Sequence, residues 1–308
     1  MLPLRPLFAD RALRRLGVGV AVWVWVCWLW LAGAGLAQAW EQSPQPEFSF
    51  KGITNSTVPS LGPKVLSPEE RQYIASLRVL RVAMQAVGAP PYEVVGADGQ
   101  ISGFQAELLA RLAVPLGLRL KPVIYATWPE VLTALREGQA DIVLTLKVTQ
   151  QRLSFLEFTL GTVPQPSALF ARVGTAVPVP TARMALEREY ASNDYVARQF
   201  PKASIVPAQS PIEALRAVAD GRADYDLGSL LEALDFLAHE PVPGIEVREI
   251  LRTGTGHFHI GARKALAPLA HILNKGITRE RVDSDFVQPA ASLPGARSEE
   301  RRVGKECA

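Results

Sequence analysis

From Leu66 onward the apolar positions switch repeatedly between the three-to-four spacing of a helix and the short runs of a strand. Leu66-Ser67-Pro68-Glu69-Glu70 reads as a helix start, with Ser67 as cap, Pro68 first in the helix and Glu70 at the third position, and predicts a helix to about Leu77. Val79 to Ala83 reads as a strand, and Pro90-Pro91 and Asp98-Gly99 mark turns around a short hairpin. Leu108, Leu109, Leu112 and Leu116 share one face of a helix opening at Phe104 and closed by Gly117, and Leu118 to Tyr125 is the next strand. Helices and strands alternate from there on, which predicts an α/β fold.

A weak internal repeat runs through this pattern. Thr127-Trp128-Pro129-Glu130 opens a helix that stops at Gly138, and Ala140-Asp141 then enters the strand Ile142-Val143-Leu144. Ser210-Pro211-Ile212-Glu213 opens a second helix that stops at Gly221, and Ala223-Asp224 then enters Tyr225-Asp226-Leu227. Each unit has a hydroxyl cap with Glu three residues on, and each has Gly where a left-handed helix stop is wanted. The pattern fits two ordinary helix–strand units or two similar lobes with separate sheets. Arg172 to Pro180, with Gly174, Pro178 and Pro180, reads as a crossover between the lobes.

The ends differ from this body. Arg5, Arg11, Arg14 and Arg15 precede an uncharged apolar run from Leu16 to Leu36, and Ala37-Gln38-Ala39 follows. That order marks residues 1–39 as a secretory signal peptide, or as a membrane anchor because the run is long enough to span. Residues 40–65 are rich in Pro, Ser, Gly and Thr and read as a linker. Residues 283–296 carry no assignment. Residues 297–308, from Arg297-Ser298-Glu299-Glu300-Arg301-Arg302, resemble a translated sequencing adapter.

Charge changes the picture once the ends are separated. The chain has 33 basic and 30 acidic residues, of which 1–39 hold four and one and 297–308 hold four and three, leaving 25 and 26 in the body. A near-neutral body gives no electrostatic reason to expect nucleic acid. The two cysteines, Cys27 and Cys307, lie outside the body, so no disulfide framework or thiolate metal site is available there.

Several motifs in order carry a family resemblance: Pro90-Pro91-Tyr92 before Asp98-Gly99, Gly103-Phe104 opening a helix, Trp128, Gly138-Gln139-Ala140-Asp141, Thr149-Gln150-Gln151-Arg152, Phe158-Thr159, Gly221-Arg222-Ala223-Asp224 and Ile272-Leu273-Asn274-Lys275. Over about Leu66 to Thr278 the chain resembles the bacterial extracellular solute-binding proteins of family 3. The opening Leu66 to Arg71 is most similar to the periplasmic sensor regions of virulence-type hybrid histidine kinases. The resemblance implies a two-lobed periplasmic-binding-protein (Venus-flytrap) fold, type 2, over residues 66–282. Lobe 1 would be about 78–172 plus 255–280 and lobe 2 about 175–252, with two crossovers as hinge and ligand between the lobes. It also implies a periplasmic location, anchored by 16–36 if the leader is retained. The implied partners are a small-molecule ligand and either an ABC permease or a fused downstream signalling domain.

In the family, the Arg of Thr-x-x-Arg pairs with a ligand carboxylate, and this carries over to Arg152, whose guanidinium suits a two-bonded carboxylate. Tyr92 and Trp128 are candidates for an apolar wall, and Thr145, Lys147 and Thr149 follow a strand end where ligand-facing donors commonly sit. Glu107 reads as a helix-start residue. Three places depart from the family: Gly161-Thr162 replaces a Pro-Tyr pair, Ser229 stands where amino-acid binders put an acid for the ligand amine, and Glu189-Tyr190 replaces a small turn at a helix start. These count against an α-amino acid itself, and the expectation is a small polar solute, a carboxylate or an amino-acid-like molecule bound by cleft closure, or a site that has lost its ligand.

His257-Phe258-His259 reads as a return strand and Asp224-Tyr225-Asp226 as a strand end, so no metal and no cofactor is expected. No phosphate loop, nucleophile elbow or His-Glu-x-x-His is present. The reading is a binding protein with no catalytic residues, and the alternative is a periplasmic enzyme of the same fold, of dehydratase type.

Overall fold

The computed structural model describes residues 48–51, 65–77, 79–176, 180–251 and 256–283. The leader, most of the linker and the tail 297–308 lie outside the described residues. Among those described, no helix is long and apolar enough to cross a membrane.

The elements form where the apolar pattern places them. In chain order they are β1 (Ser49–Phe50), α1 (Pro68–Ser76), β2 (Leu80–Gln85), β3 (Val94–Val95), β4 (Gln100–Ser102), α2 (Phe104–Ala113), β5 (Leu120–Tyr125), α3 (Trp128–Arg136), β6 (Ile142–Leu146), β7 (Leu156–Phe158) and β8 (Ser167–Arg172). They continue with β9 (Arg183–Glu187), α4 (Ala191–Gln199), β10 (Ser204–Ala208), α5 (Pro211–Ala219), β11 (Tyr225–Ser229), α6 (Leu230–His239), β12 (Ile245–Ile250), β13 (His259–Arg263) and α7 (Ala267–Asp283). The box that opens α1 is complete, with Ser67 Oγ accepting from Glu70 N–H at 3.2 Å and the Glu70 carboxylate accepting from Ser67 N–H at 2.7 Å. Helix α2 gives way to a 3-10 turn at Val114–Leu116, because Pro115 has no N–H to continue the α ladder.

Two five-stranded sheets result, with the same internal order. The first runs β5-β2-β6-β13-β7 and the second β10-β9-β11-β8-β12. In each, a central strand is flanked by two parallel partners, and the fourth strand is antiparallel to both neighbours. This is the two-lobed α/β arrangement that the resemblance implies. Helices α1, α2 and α7 bury Leu109, Leu112 and Leu273 against one face of the first sheet, and α3 buries Leu132 and Leu135 against the other. The second sheet packs Leu186 and Val196 on one side and Leu215 with Phe170 on the other.

That fourth strand corrects the expected lobe boundary. Ser167–Arg172 belongs to the second sheet, so the chain leaves the first lobe between Phe158 and Ser167, not at Arg172 to Pro180. It returns between Ile250 and His259. Apolar continuity masked the switch, since β8 reads as one more buried strand whichever sheet receives it. The two crossing segments pair with each other: Gln165 N–H donates to Gly256 O at 2.7 Å, Thr162 N–H to Phe258 O at 2.7 Å and Phe258 N–H to Val163 O at 2.9 Å. Gly161 lies against the second crossing so closely that an added Cβ would sit 2.7 Å from His257 Cβ. Tyr92 packs edge-on to Phe258 here, with ring centroids 4.9 Å apart, and Leu231 of the second lobe packs against the same cluster.

The predicted linker 40–65 is corrected in part. Ser49–Phe50 forms β1, parallel to β4, and Phe50 is buried in the first-lobe core. An aromatic side chain in an otherwise polar stretch gains enough by burial to dock the strand.

The repeat has a structural meaning. In the first lobe Asp141 Oδ2 accepts from the backbone N–H and Nε of Arg81, both at 2.9 Å, and in the second Asp224 Oδ2 accepts from the same atoms of Arg183, at 2.8 and 3.3 Å. Each Asp thus ties the strand it opens to the central strand beside it. Gly138 and Gly221, at φ +72° and +75°, end the preceding helices in the left-handed region and turn the chain into these Asp residues.

Only the first tie is desolvated. The Asp141 side chain is 6% exposed and also meets Arg263 at 3.0 Å, whereas Asp224 is 29% exposed and Arg183 45%. Asp141→Ala leaves two guanidinium groups without their carboxylate and is expected to destabilise by about 3 kcal/mol, and Asp224→Ala by about 1 kcal/mol or less. Denaturant unfolding of both variants checks the ranking, and equal losses would contradict it.

Candidate ligand-binding cleft

Arg152 is held by local geometry before it reaches the cleft. Thr149 Oγ1 accepts from Arg152 N–H at 3.3 Å and Thr149 O from Leu153 N–H at 3.1 Å, which starts the 3-10 turn Arg152–Ser154. The Arg152 residue is only 3% exposed. Its guanidinium donates to Lys147 O of the first lobe at 2.9 Å and to Glu189 O of the second at 2.8 Å, and lies 5.4 Å from the Trp128 ring centroid. Burial lowers its pKa to about 10, an effect partly offset by Tyr190, Asp194 and Glu189, so it stays charged at neutral pH. Arg152 therefore bridges the lobes.

Glu189 takes up this bond in a left-handed conformation, at φ +57°. For a residue with a side chain that conformation is strained by about 1 kcal/mol. It aims the carbonyl at Arg152 and presents Tyr190 as cap of α4. Tyr190 meets Trp128 edge-on, with centroids 6.2 Å apart. A second bridge joins the ends of the two central strands, where Gln85 Nε2 donates to Glu187 Oε1 at 2.9 Å and to Gln209 O at 3.3 Å.

Between these bridges lie two adjoining narrow cavities. One is lined by Gln85, Glu93, Trp128, Thr145, Glu187 and Glu232 among others. The other shares Glu187, Tyr190 and Glu232 and adds Asp226 and Ser229. Glu93 comes from the first lobe, and Glu187, Asp226 and Glu232 from the second. Tyr190 Oη donates to Glu232 Oε1 at 3.2 Å.

Burial raises all four acids. Glu93 moves to about 8, with Glu232 adding to the shift and Thr145 opposing it. Glu187 moves to about 8 against its bond from Gln85, and Glu232 to about 7 against Ser229, Tyr190 and Lys147. Asp226 rises well above the carboxylate range, first by burial and then by the nearby Glu232. Lys147 falls to about 8 by burial, and its Nζ donates to Ser167 Oγ at 2.8 Å.

The candidate residues read from the sequence fall into two groups. Trp128, Thr145 and Ser229 line the cavities, with Lys147 and Arg152 beside them at the lobe junction. Tyr92 and Thr149 line neither cavity. Tyr92 is buried against Phe258, its hydroxyl donating to Pro164 O at 3.2 Å, and Thr149 supports the turn under Arg152. His259 Nδ1 lies 2.8 Å from Thr159 O in its strand, and no group of His, Cys, Asp or Glu suited to a metal occurs among the described residues.

Of the four acids the sequence reading named only Asp226, as a strand end, and none as a cleft group. The available signal was acidic residues closing or interrupting apolar runs: Met184-Ala185-Leu186 before Glu187, and Leu230-Leu231 before Glu232.

These raised acids set a pH dependence for the free protein. Between about pH 5 and 7.5 the unfolded chain gives up protons that the folded cleft retains, so stability falls as pH rises. Asp141, Asp224 and Glu70 are lowered and titrate below this window. The melting temperature is expected to be higher at pH 5.5 than at 7.5, and Glu232→Gln should reduce the difference. A melting temperature that rises across the window would contradict the assignment.

Similarity to known proteins agrees with this geometry. The family model for bacterial extracellular solute-binding proteins, family 3, matches residues 80–288. The virulence sensor protein BvgS of Bordetella pertussis strain Tohama I is 27% identical over 216 residues, 68% of this chain and 17% of BvgS. The sensor protein EvgS of Escherichia coli O157:H7 is 25% identical over 236 residues, 73% of this chain and 19% of EvgS. The chain thus spans under a fifth of the length of these relatives. The crystal structure of the Bordetella pertussis BvgS periplasmic VFT2 domain superposes with a TM-score of 0.62 at 27% identity, over 69% of this chain and 92% of that one. With a matched segment that contains both sheets, both crossings and the cleft, the chain belongs to the bacterial extracellular solute-binding proteins, family 3.

Proposed function

We propose that this chain is the extracytoplasmic ligand-binding region of a sensor, which closes on a small polar solute in the cleft between its lobes. The observation that carries the reading is Arg152, which joins Lys147 O and Glu189 O across the cleft beside the cavities. Such a bridge exists only when the lobes are together, so a solute that favours the closed form shifts the balance by its differential affinity. The paired crossings supply the hinge. Trp128, Thr145, Lys147, Arg152 and Ser229 are the ligand-facing or closure-supporting residues in this reading, with Tyr92 and Thr149 behind them.

The sensor role draws on BvgS and EvgS, which are named as sensor proteins. Residues 16–36 would anchor it in the membrane. Binding physics is the same in a receptor that delivers solute to an ABC permease, and only the reader of closure differs.

Thermal shift over a metabolite panel, followed by calorimetry, tests binding. Arg152→Ala is expected to weaken the solute found by at least about 30-fold, through loss of a buried charged hydrogen-bonding group worth about 2–5 kcal/mol. Equal affinity in wild type and variant rules out that role for Arg152, and turnover of prephenate or a similar acid would favour an enzyme.

Reading the source genome past Pro294 separates sensing from transport. An in-frame membrane helix followed by a kinase domain is expected, and a stop codon beside permease and ATPase genes would overturn the sensor role.

A further inference from the structure

The cleft contains more buried acid than its hydrogen bonds account for. Neither cavity is lined by a Lys, Arg or His, and together they present Glu93, Glu187, Asp226 and Glu232. Glu93 lines the first cavity and is 2% exposed, and its Oε2 has no hydrogen-bonding partner. An ionised carboxylate placed so is costly unless a cation joins it, and otherwise it keeps its proton. Of the two bases nearby, Arg152 donates to the carbonyls of Lys147 and Glu189, and Lys147 gives one N–H to Ser167 Oγ and attracts Glu232. A ligand carboxylate entering these cavities would meet four acids on the walls and no basic residue among them.

A second orphaned group faces the same space. Trp128 also lines the cavity and is 5% exposed, and its buried Nε1–H has no acceptor. With the Tyr190 ring beside it, the wall offers aromatic surface to a cation and one donor to a neutral oxygen.

We propose that the cleft takes an organic ammonium ion, a primary amine without a carboxylate, with Glu93 and Glu232 of opposite lobes as its salt-bridge partners and Trp128 Nε1–H donating to a hydroxyl on it. This rests on the solute-binding reading and narrows it. An ammonium group held from both lobes is bound fully only in the closed form, so the same contact that selects the ligand drives closure. Binding also expels protons from the acids. The titratable groups facing Glu93 and Glu232 are Tyr92, Lys147, Glu187, Tyr190 and Asp226, with Arg152 adjoining. Arg152 keeps its proton from pH 6 to 8, whereas Lys147, lowered to about 8, begins to lose its own at the upper end, which favours a cation in the same direction as ionisation of the acids.

The test is calorimetry on the purified protein with ethanolamine, putrescine, glutamine, succinate and potassium chloride. Ethanolamine is expected to bind, and putrescine, which has no hydroxyl for Trp128, more weakly, each with an affinity that rises about tenfold from pH 6 to 8 and a heat that changes with the buffer's ionisation enthalpy. Glu93→Gln and Glu232→Gln should each weaken the amine at least about tenfold. Each amide mimics the protonated acid, so the melting temperature of the free variants should not fall. Binding of succinate or glutamine but neither amine overturns the cation assignment and leaves the solute-binding reading standing. No binding by these probes or the wider metabolite panel overturns both. Equal response to potassium chloride rules out an amine-selective site, and unchanged amine affinity in both variants rules out Glu93 and Glu232.

Discussion

Two short chain crossings, hydrogen-bonded to each other, fix what the two lobes share. The first sheet receives its fourth strand, β13, only after the chain has built the second, and the second receives β8 directly from the first. Each sheet is therefore completed by a segment that arrives from the other. Neither lobe can lose contact with its partner without breaking an antiparallel strand, yet only the crossings and the cleft walls join them. Gly161 lies close enough to His257 that even a methyl group would push the crossings apart. That combination of tight pairing and small cross-section is what the proposed hinge requires.

The cleft follows from this geometry, because equivalent positions of the lobes are brought face to face. Gln85 ends the central strand of the first sheet and Glu187 that of the second, and they hydrogen-bond across the gap. The loop after the second central strand then supplies Glu189 O to Arg152, in a backbone conformation that a side chain disfavours. The departure from a small turn at Glu189-Tyr190, which in the sequence argued against an α-amino acid, has a structural consequence. Tyr190 fills space at the start of α4, and its hydroxyl lies on Glu232. The acid absent at Ser229 is present three residues later on α6, so carboxylate chemistry is supplied from a helix in place of a strand end.

Electrostatics divides the molecule's acids by function. Asp141 meets two guanidinium groups and a backbone N–H, so its charge is compensated and it holds a sheet together. The cleft acids are as buried but face one another, and burial without compensation raises their pKa. The same residue type thus serves as a fixed structural tie in one setting and as an exchangeable charge in the other.

The sequence alone determined the elements and their order, because these rest on local chemistry: caps at Ser67 and Ser210, left-handed stops at Gly138 and Gly221, and apolar periodicity between them. It also determined the family, and the resemblance named Arg152, Tyr92, Thr145, Lys147, Thr149, Trp128 and Ser229 as candidates, since short motifs carried it. Tertiary structure decided where β8 pairs, because a buried strand carries no mark of the sheet that will receive it. It docked Phe50, which a polar surrounding had assigned to linker. It assigned Arg152's donors to two backbone carbonyls, one of them 37 residues away. It also gathered Glu93, Glu187, Asp226 and Glu232 around two adjoining cavities. A carboxylate's pKa and partners are set by what surrounds it in three dimensions, and nothing in one dimension marks Glu93 and Glu232, 139 positions apart, as lining one cavity.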